Sequence, residues 1–186
     1  MLRGPVASAG RTSMQPRSNM KLNPEDLAKI TDFTLSHYNE HAEDFWEGTR
    51  DHNVNQNITA LLQSIEGEPP YTILDFGCGP GRDLKVFAEL GHIAIGLDGA
   101  PHFAVMARAY SGCEVWQQDF LKLDLPDRHF DGVFANAALF HVPLPGVTAC
   151  VARTVRKSKT GWCPVQLEPA RPQRRRLEWR ALRRVS

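Results

Sequence analysis

From residue 71 onward, apolar runs of strand length alternate with amphipathic stretches of helix length. The runs typical of strands lie at 71–76, 93–98, 114–119 and 130–136. Between them, residues 81–90 and 101–110 place their apolar side chains on one helical face, with Gly91 as a stop and Pro101 as a start. Strands separated by helices predict right-handed βαβ units, and therefore an α/β fold with a parallel sheet.

Residues 21–70 carry two helical signals ahead of this pattern. Asn23 is a suitable N-cap, Pro24 suits a first helical position, and the two acids that follow complement the helix dipole. A second helix is predicted near 55–66, where apolar residues recur at i, i+3, i+4 and i+7.

The formal net charge of +1 averages over segments of opposite sign. Residues 21–147 hold 8 Lys and Arg against 19 Asp and Glu, whereas residues 148–186 hold 11 against 2. With the change of pattern at 71, this predicts four segments: a disordered start or mis-assigned start codon (1–20), N-terminal helices (21–70), a core (71–147) and an atypical basic tail (148–186).

Two further features bear on location. Residues 1–20 hold three Arg and no acid, so an organelle transit peptide is an alternative to disorder or to a start at Met20. The chain has no apolar run near the roughly 18–20 residues of a membrane span, and its four cysteines form no Cys-x-x-Cys pair, so no metal site is expected. We therefore expect a cytoplasmic, reducing location.

The segment "TILDFGCGPGRD" places a glycine-rich turn, residues 77–81, between the first strand and its helix. Ligands of open parallel sheets bind at the carboxyl ends of strands, and glycines let a ligand approach the main chain. The spacing is G-x-G-x-G rather than the dinucleotide G-x-G-x-x-G, and Arg82 stands where the last glycine of that fingerprint would be. A nucleotide-type cofactor is predicted, and a tight turn without ligand is the alternative.

Three acids at strand ends suggest which cofactor. Asp75 beside the glycines would repel a pyrophosphate but attract an ammonium group. Asp98, which ends the second strand, can accept hydrogen bonds from a ribose diol. Asp119, which ends the third strand, and its neighbour Phe120 suit an adenine amine and ring. Amino acid, ribose and adenine are the parts of S-adenosylmethionine.

Four segments in this order resemble the class I S-adenosylmethionine-dependent methyltransferases: "ILDFGCGPGRD", "AIGLDGA", "VWQQDFLKLDLP" and "FDGVFANAALFHVP". The resemblance implies a Rossmann-like, doubly wound, mostly parallel sheet with N-terminal lid helices. It also implies a set of cofactor-binding residues: Asp75, Gly77, Gly79, Gly81, Asp98, Asp119, Phe120 and Asn136.

The resemblance is to the small-molecule group, such as quinone-biosynthesis enzymes, because "NAALFHVP" lacks the Asn/Asp-Pro-Pro-Tyr/Phe set of relatives that methylate nucleobases. A small-molecule methyl acceptor is therefore expected. His141 is a weak candidate base, and a structural role is the alternative. Tyr38 and Trp46 are lid candidates, and the alternative is that both are core residues.

The chain after Pro143 departs from the family, which implies a Gly-Gly turn, a fifth strand and a hairpin. The basic tail could bind nucleic acid or be a disordered extension. We favour a frameshift between about 141 and 146, because codons read one base later admit "KPGGVLFSSNPRG". The sheet would then be incomplete at its C-terminal strands, the fourth strand's edge exposed and activity impaired.

Two other functional classes stay open at the sequence level. One is a non-catalytic cofactor-binding fragment or a nucleic-acid-binding protein that uses the Arg-rich tail, although nucleic acid is the less favoured partner. The other is a nicotinamide-dependent dehydrogenase.

Overall fold

Three helices precede the sheet: α1 (Pro24–Glu40), α2 (Ala42–Thr49) and α3 (Asn55–Ser64). The computed structural model describes residues 23–136 and 138, and the backbone of residues 165–167. α1 begins with a capping box, in which the Asn23 side chain accepts from the Asp26 amide at 2.8 Å and Asp26 accepts from the Asn23 amide at 3.4 Å. The predicted start of this helix is confirmed, whereas α2 lies in a polar stretch where no helix was predicted.

The rest of the described chain alternates strands and helices. The strands are β1 (Thr72–Phe76), β2 (Ile93–Asp98), β3 (Glu114–Gln117), β4 (Gly132–Ala135) and β5 (Val165–Leu167), and the helices are α4 (Arg82–Glu89) and α5 (Pro101–Ser111). The strands pair in parallel in the order β3-β2-β1-β4-β5. The predicted α/β fold with a parallel, Rossmann-like sheet is confirmed.

The outer edge of β4 is paired, contrary to the expectation that it would be exposed. Val133, Phe134 and Ala135 of β4 stand opposite residues 165–167 in a parallel ladder. The short segment Val-Gln-Leu supplies one β-branched residue and an alternating pattern, which suit a strand. A fifth strand is thus present in the chain as it reads, while the frameshift itself stays a prediction that the nucleotide sequence of codons 140–165 would test.

The two faces of the sheet are buried in separate clusters. One face carries Ile73, Val115 and Phe134 and packs against residues of α3, α4 and α5, among them Leu61, Leu84 and Ala107. The other carries mainly these side chains: Leu74, Phe76, Ile95, Leu97, Val133 and Ala135. Because successive strand residues point to opposite faces, Asp75 lies on the same side as Ile73, under the helices.

A third cluster joins the N-terminal helices to the sheet layer. Ala42 at the start of α2 is buried with Ala100 and Phe103, and Tyr38 and Phe45 pack against them. α1 has no buried residue. In the described residues, no helix combines the length and apolar character that crossing a membrane requires.

Candidate functional site

Two adjoining cavities lie where the strands end at their carboxyl side. The first has a volume of about 260 Å³ and lies between the strand ends and the N-terminal helices. Its walls come from α1 and α2 above and from the residues after β1 to β4 below. The lining residues are Thr31, Thr34, Leu35, Tyr38, Phe45, Thr49, Gly77, Gly79, Asp98, Gly99, Phe103, Asp119, Phe120, Leu121, Asn136 and Ala138.

The second cavity, of about 380 Å³, lies between the end of α2 and the start of α4. It shares five lining residues with the first: Phe45, Thr49, Gly77, Gly79 and Asn136. Its own lining is more polar and includes Trp46, His52, Asn53, Arg82 and Asp83. A molecule that fills both cavities would therefore pass over Gly77 and Gly79.

Glycines 77 and 79 of the glycine loop, residues 77–81, both have positive φ angles, and Gly77 also approaches a neighbour too closely for a side chain. Gly77 has a φ of +74°, and a Cβ there would lie 2.2 Å from the Ala138 Cβ. Gly79 has a φ of +52°, a conformation that L-residues rarely adopt. The loop is held to β2 because the amides of Gly77 and Cys78 both donate to the Leu97 carbonyl, at 2.7 and 3.1 Å.

Asp98 ties the glycine loop to the end of β2. Its Oδ2 accepts from the Gly79 amide and its Oδ1 from the Ala100 amide, each at 2.9 Å. Only 8% of the residue is exposed, and it lines the first cavity. Burial raises the pKa of this carboxyl to about 6, against the lowering effect of the backbone donors.

Asp119 and Phe120 also line the first cavity, as the sequence predicts for neighbours of one ligand. The Asp119 Oδ1 accepts from the Leu121 amide at 2.9 Å, and its Oδ2 lies 3.9 Å from the Lys122 Nζ. The Phe120 ring leans on Phe76, with centroids 4.5 Å apart. Both residues are thereby fixed against the wall of the cavity.

Asp75 lines neither cavity, so the expectation that it shares an open cleft with the other two acids is wrong. Only 2% of the residue is exposed, because α4 begins directly over it. Burial first, and then the charge of Asp83, raise the pKa of the Asp75 carboxyl well above its usual value, although Arg82 and the Leu84 amide act in the opposite direction. Within the described residues, its Oδ2 is buried without a hydrogen-bond partner.

Gly81 also lines neither cavity, and helix packing explains why a glycine stands there. Its φ is +94°, and a Cβ would lie 2.8 Å from the Ala107 Cα of α5. The absent side chain therefore lets α4 and α5 approach each other. Its predicted role in cradling the cofactor has no support in this position.

The two lid candidates lie at different cavities. Tyr38 lines the first cavity, where its ring packs edge-on against Phe45 at 5.6 Å between centroids. Burial and then the Asp98 charge raise the pKa of the Tyr38 hydroxyl. Trp46 lines the second cavity and packs on Tyr110 at 4.6 Å. Both residues border a cavity, and Tyr38 also packs against the buried cluster of Ala42, Ala100 and Phe103, so the lid role stays a prediction.

Sequence reasoning missed a polar network at the second cavity. Arg82 pairs with Asp83 through two contacts of 2.6 and 2.9 Å and donates to the Thr49 carbonyl at 2.7 Å. The Asn136 amide lies 3.4 Å from Asp83 and accepts from Asn57 at 3.2 Å. The signal available was the presence of Arg82 where the dinucleotide fingerprint has glycine.

Sequence reasoning also missed several residues that line the first cavity from the helices. Phe45 borders both cavities, and Phe103 closes the wall beside it. His141 lies outside the described residues, so its role stays a prediction. In the part of the chain that the structure describes, no group of three or more potential metal ligands is found.

Comparison with known proteins agrees with this geometry. The family model of a methyltransferase domain matches residues 73–161, a stretch that includes the glycine loop, all three strand-end acids and the first part of the basic tail. Residues 73–161 are therefore similar to a methyltransferase domain. The predicted resemblance to class I S-adenosylmethionine-dependent methyltransferases is thereby confirmed.

Methyltransferases are among the curated relatives and solved structures with which this region aligns. A sterol 24-C-methyltransferase of Neurospora crassa is 31% identical over 97 residues, which cover 47% of this chain and 26% of that protein. The magnesium protoporphyrin IX methyltransferase of Synechocystis, solved with bound S-adenosylmethionine, has 19% identity and a TM-score of 0.54, covering 76% of this chain and 74% of that one.

A phosphoethanolamine N-methyltransferase of Haemonchus contortus, solved with phosphoethanolamine and S-adenosylhomocysteine, has 17% identity and a TM-score of 0.58. The match covers 74% of this chain and 31% of that one. These solved structures share the fold of the methyltransferase domain. The chain spans about a quarter to a third of the length of the curated relatives it matches.

Proposed function

We propose that this chain transfers a methyl group from S-adenosylmethionine to a small molecule. The observation that supports this most directly is the joint placement of Asp98, Asp119 and Phe120 in one cavity that also borders the glycine loop. Each of these side chains suits a different part of one adenosyl ligand, and the sequence predicted them on that ground.

The first cavity fits the adenosyl part. The Asp98 oxygens, each already bonded to one amide, keep a lone pair with which to accept a ribose hydroxyl. Asp119 offers an acceptor for the adenine amine, and Phe120 and Phe103 offer apolar surface for the ring. Pockets of this kind combine a mostly apolar lining with few polar groups.

The second cavity fits the methionyl part. Among the described residues that line the two cavities, the acids are Asp83, Asp98 and Asp119, and Arg82 is the only Arg or Lys. Across the two cavities together, the three carboxyl groups outnumber this single cation. A ligand that carries a sulfonium and an ammonium would compensate this excess. The Asp75 Oδ2, which is buried without a hydrogen-bond partner among the described residues, lies two residues before the glycine loop in sequence.

The proposed mechanism requires little covalent chemistry from the protein. When bound, S-adenosylmethionine supplies an activated methyl group on its sulfonium. The residues of this chain bind and orient: Gly77 and Gly79 admit the ligand to the main chain, while Tyr38 and Phe45 cover it and exclude water. Such alignment can supply much of the rate acceleration in a group transfer, and a general base is required only for an acceptor that must lose a proton.

The acceptor is proposed at the level of a small molecule. The relatives named above act, by their names, on sterols, on magnesium protoporphyrin IX and on phosphoethanolamine. These three acceptors share no chemistry beyond their size class, which supports the coarse proposal and no finer one. A cytoplasmic location is part of the same proposal.

Titration calorimetry with S-adenosylhomocysteine tests the proposal, followed by transfer of a labelled methyl group to a panel of small-molecule acceptors. We expect saturable one-to-one binding and transfer to at least one acceptor class. NADH and a single-stranded oligonucleotide serve as competing ligands. Binding of either of these, with none of the adenosyl ligand, would overturn the proposal.

Replacing Asp75 with Asn tests the role of the buried acid. Because the pKa of the Asp75 carboxyl is raised in the folded chain, the free energy of unfolding of the wild-type protein falls as pH rises through that pKa. At pH 8, Asp75→Asn should therefore raise the free energy of unfolding by roughly 1–3 kcal/mol, because the amide cannot ionise and brings no buried charge into the folded chain. The same variant should bind S-adenosylhomocysteine more weakly.

Chemical denaturation and calorimetry measure the two effects of this substitution. Asp131→Asn is the matched control, because Asp131 accepts from the Thr72 amide at the opposite end of β1, away from both cavities. The control should leave affinity unchanged. Full affinity in Asp75→Asn, or a loss of stability at pH 8, would contradict the assignment.

A further inference from the structure

Arg82 connects the glycine loop to the helices that cover the cavities. It is the first residue of α4, directly after Gly81, and its side chain is 19% exposed. Its Nε and one terminal nitrogen bind the two oxygens of Asp83, at 2.6 and 2.9 Å. This pairing fixes the plane of the guanidinium, which leaves the other terminal nitrogen directed at α2.

That nitrogen donates to the carbonyl of Thr49 at 2.7 Å. Thr49 is the last residue of α2, where carbonyl groups have no partner within the helix and the helix dipole is negative. The Thr49 carbonyl also accepts from the His52 amide at 3.0 Å, so the Arg82 cation adds a second donor and interacts favourably with the negative end of the helix. The distance is typical of a charge-assisted hydrogen bond.

A second polar contact fastens the same region from the other side. Asn57 of α3 donates to Asn136, and Asn136 lies within 3.4 Å of Asp83. The chain between Thr49 and Asn57 is therefore tied at both ends to one buried carboxylate group. This stretch forms a wall of the second cavity through His52, Asn53 and Val54.

Apolar contacts hold the opposite end of α2. Ala42 is the single buried residue of α2, and it packs with Ala100 and Phe103 at the start of α5. α1 buries no residue at all. The C-terminal half of α2 packs through Phe45 on Phe103 and through Trp46 on Tyr110, and the Arg82 contact adds a polar tie at its last residue, Thr49.

We propose that Arg82 is a positioning residue that holds α2 closed over the cofactor by binding the Thr49 carbonyl from the glycine loop. The inference rests on the proposed function and adds the residue that couples the loop to its cover. Opening this contact would free the end of α2 to move away from Gly79 and let the adenosyl ligand leave.

The test measures dissociation of S-adenosylhomocysteine by stopped flow and amide hydrogen exchange of residues 43–54 in the full chain. Arg82→Ala should speed dissociation by roughly tenfold or more, the effect of losing a hydrogen bond to a charged group. It should also raise exchange in 43–54 without ligand, whereas exchange in β1 and β2 stays unchanged. Arg50→Ala is the control, since Arg50 carries the same charge beside Thr49 but pairs with Glu47 and Asp51 on the surface.

Arg82→Lys separates positioning from charge alone. A lysine keeps the cation but cannot bind both Asp83 oxygens and Thr49 in one rigid fork, so it should rescue the dissociation rate only in part. If Arg82→Ala fails to fold, Asn57→Ala weakens the second tie and should change exchange and dissociation in the same direction, by less. In turnover, the KM for the cofactor should rise more than kcat falls.

Each outcome is decisive for one of the two proposals. If the wild-type chain does not bind S-adenosylhomocysteine, the proposed function fails, yet the exchange measurement still tests whether Arg82 holds α2. If the wild type binds and Arg82→Ala or Asn57→Ala leaves both dissociation and exchange at wild-type values, the positioning role is overturned. Equal effects of Arg82→Ala and Arg50→Ala would also overturn it.

Discussion

Asp98→Ala is expected to weaken S-adenosylhomocysteine binding by roughly a hundredfold or more, because two hydrogen bonds to a charged acceptor are lost together. The substitution also releases the amides of Gly79 and Ala100, so the glycine loop loses its tie to the end of β2. Both effects act on the same ligand surface. Calorimetry at pH 7.5 measures the change in affinity.

The pH dependence of stability and of ligand affinity in the wild-type protein provides a second test of the role of Asp98. The pKa of Asp98 is about 6 in the folded chain, above the ordinary value of 3.8. The contribution of protonated Asp98 to the free energy of unfolding is therefore complete below about pH 4. It should be lost as pH rises through 6, by about 3 kcal/mol in total. Ligand affinity should change in the opposite direction, since hydroxyl groups donate to the ionised carboxylate, and should decline below about pH 6.

Two variants isolate this residue from the other acids. Asp98→Asn should remove the change of stability between pH 4 and 6 that Asp98 causes, while the part caused by Asp75 remains. Asp124→Asn serves as the control, because Asp124 is exposed and lines neither cavity. Full affinity in Asp98→Ala, or an unchanged pH profile in Asp98→Asn, would remove the main support for the adenosyl assignment.

The strand-end acids show how far sequence reasoning reaches. Asp98 and Asp119 were placed correctly in one cavity because carboxyl ends of neighbouring parallel strands meet at one edge of a sheet. Asp75 also lies near the carboxyl end of its strand, β1, yet its side chain is buried beneath α4. Asp75 and Asp98 share one face of the sheet, but Asp75 stands opposite Gly96, two positions before Asp98, and so lies deeper below the carboxyl edge.

Other parts of the site depend on contacts that sequence separation conceals. A Cβ at Gly79 would meet only the Phe45 ring at 3.6 Å, whereas at Gly81 it would clash with Ala107, which is 26 positions later in the chain. The sequence shows a glycine at both positions and does not distinguish these two surroundings. Phe45 borders both cavities, but it lies in a polar stretch whose helix, α2, buries only one residue and so leaves little apolar periodicity to read.

The glycine at position 81 should tolerate no side chain. Gly81→Ala is expected to lower the free energy of unfolding by about 2–5 kcal/mol, which combines the cost of a positive φ with that of overpacking. The clash is with the backbone of Ala107 at 2.8 Å, which cannot yield as a flexible side chain can. Because Gly81 is the N-cap of α4 and directly precedes Arg82, ligand affinity should fall as well. Urea denaturation and calorimetry measure the two effects.

Gly91→Ala is the matched control for the backbone term. Gly91 has a φ of +84°, close to that of Gly81, but a Cβ there meets nothing within 4 Å. Its substitution should cost only about 1–2 kcal/mol, so the difference between the two variants measures the close approach of α4 and α5. Equal losses would mean that φ alone accounts for Gly81, and the third glycine of the loop would then return to consideration as part of the ligand's cradle.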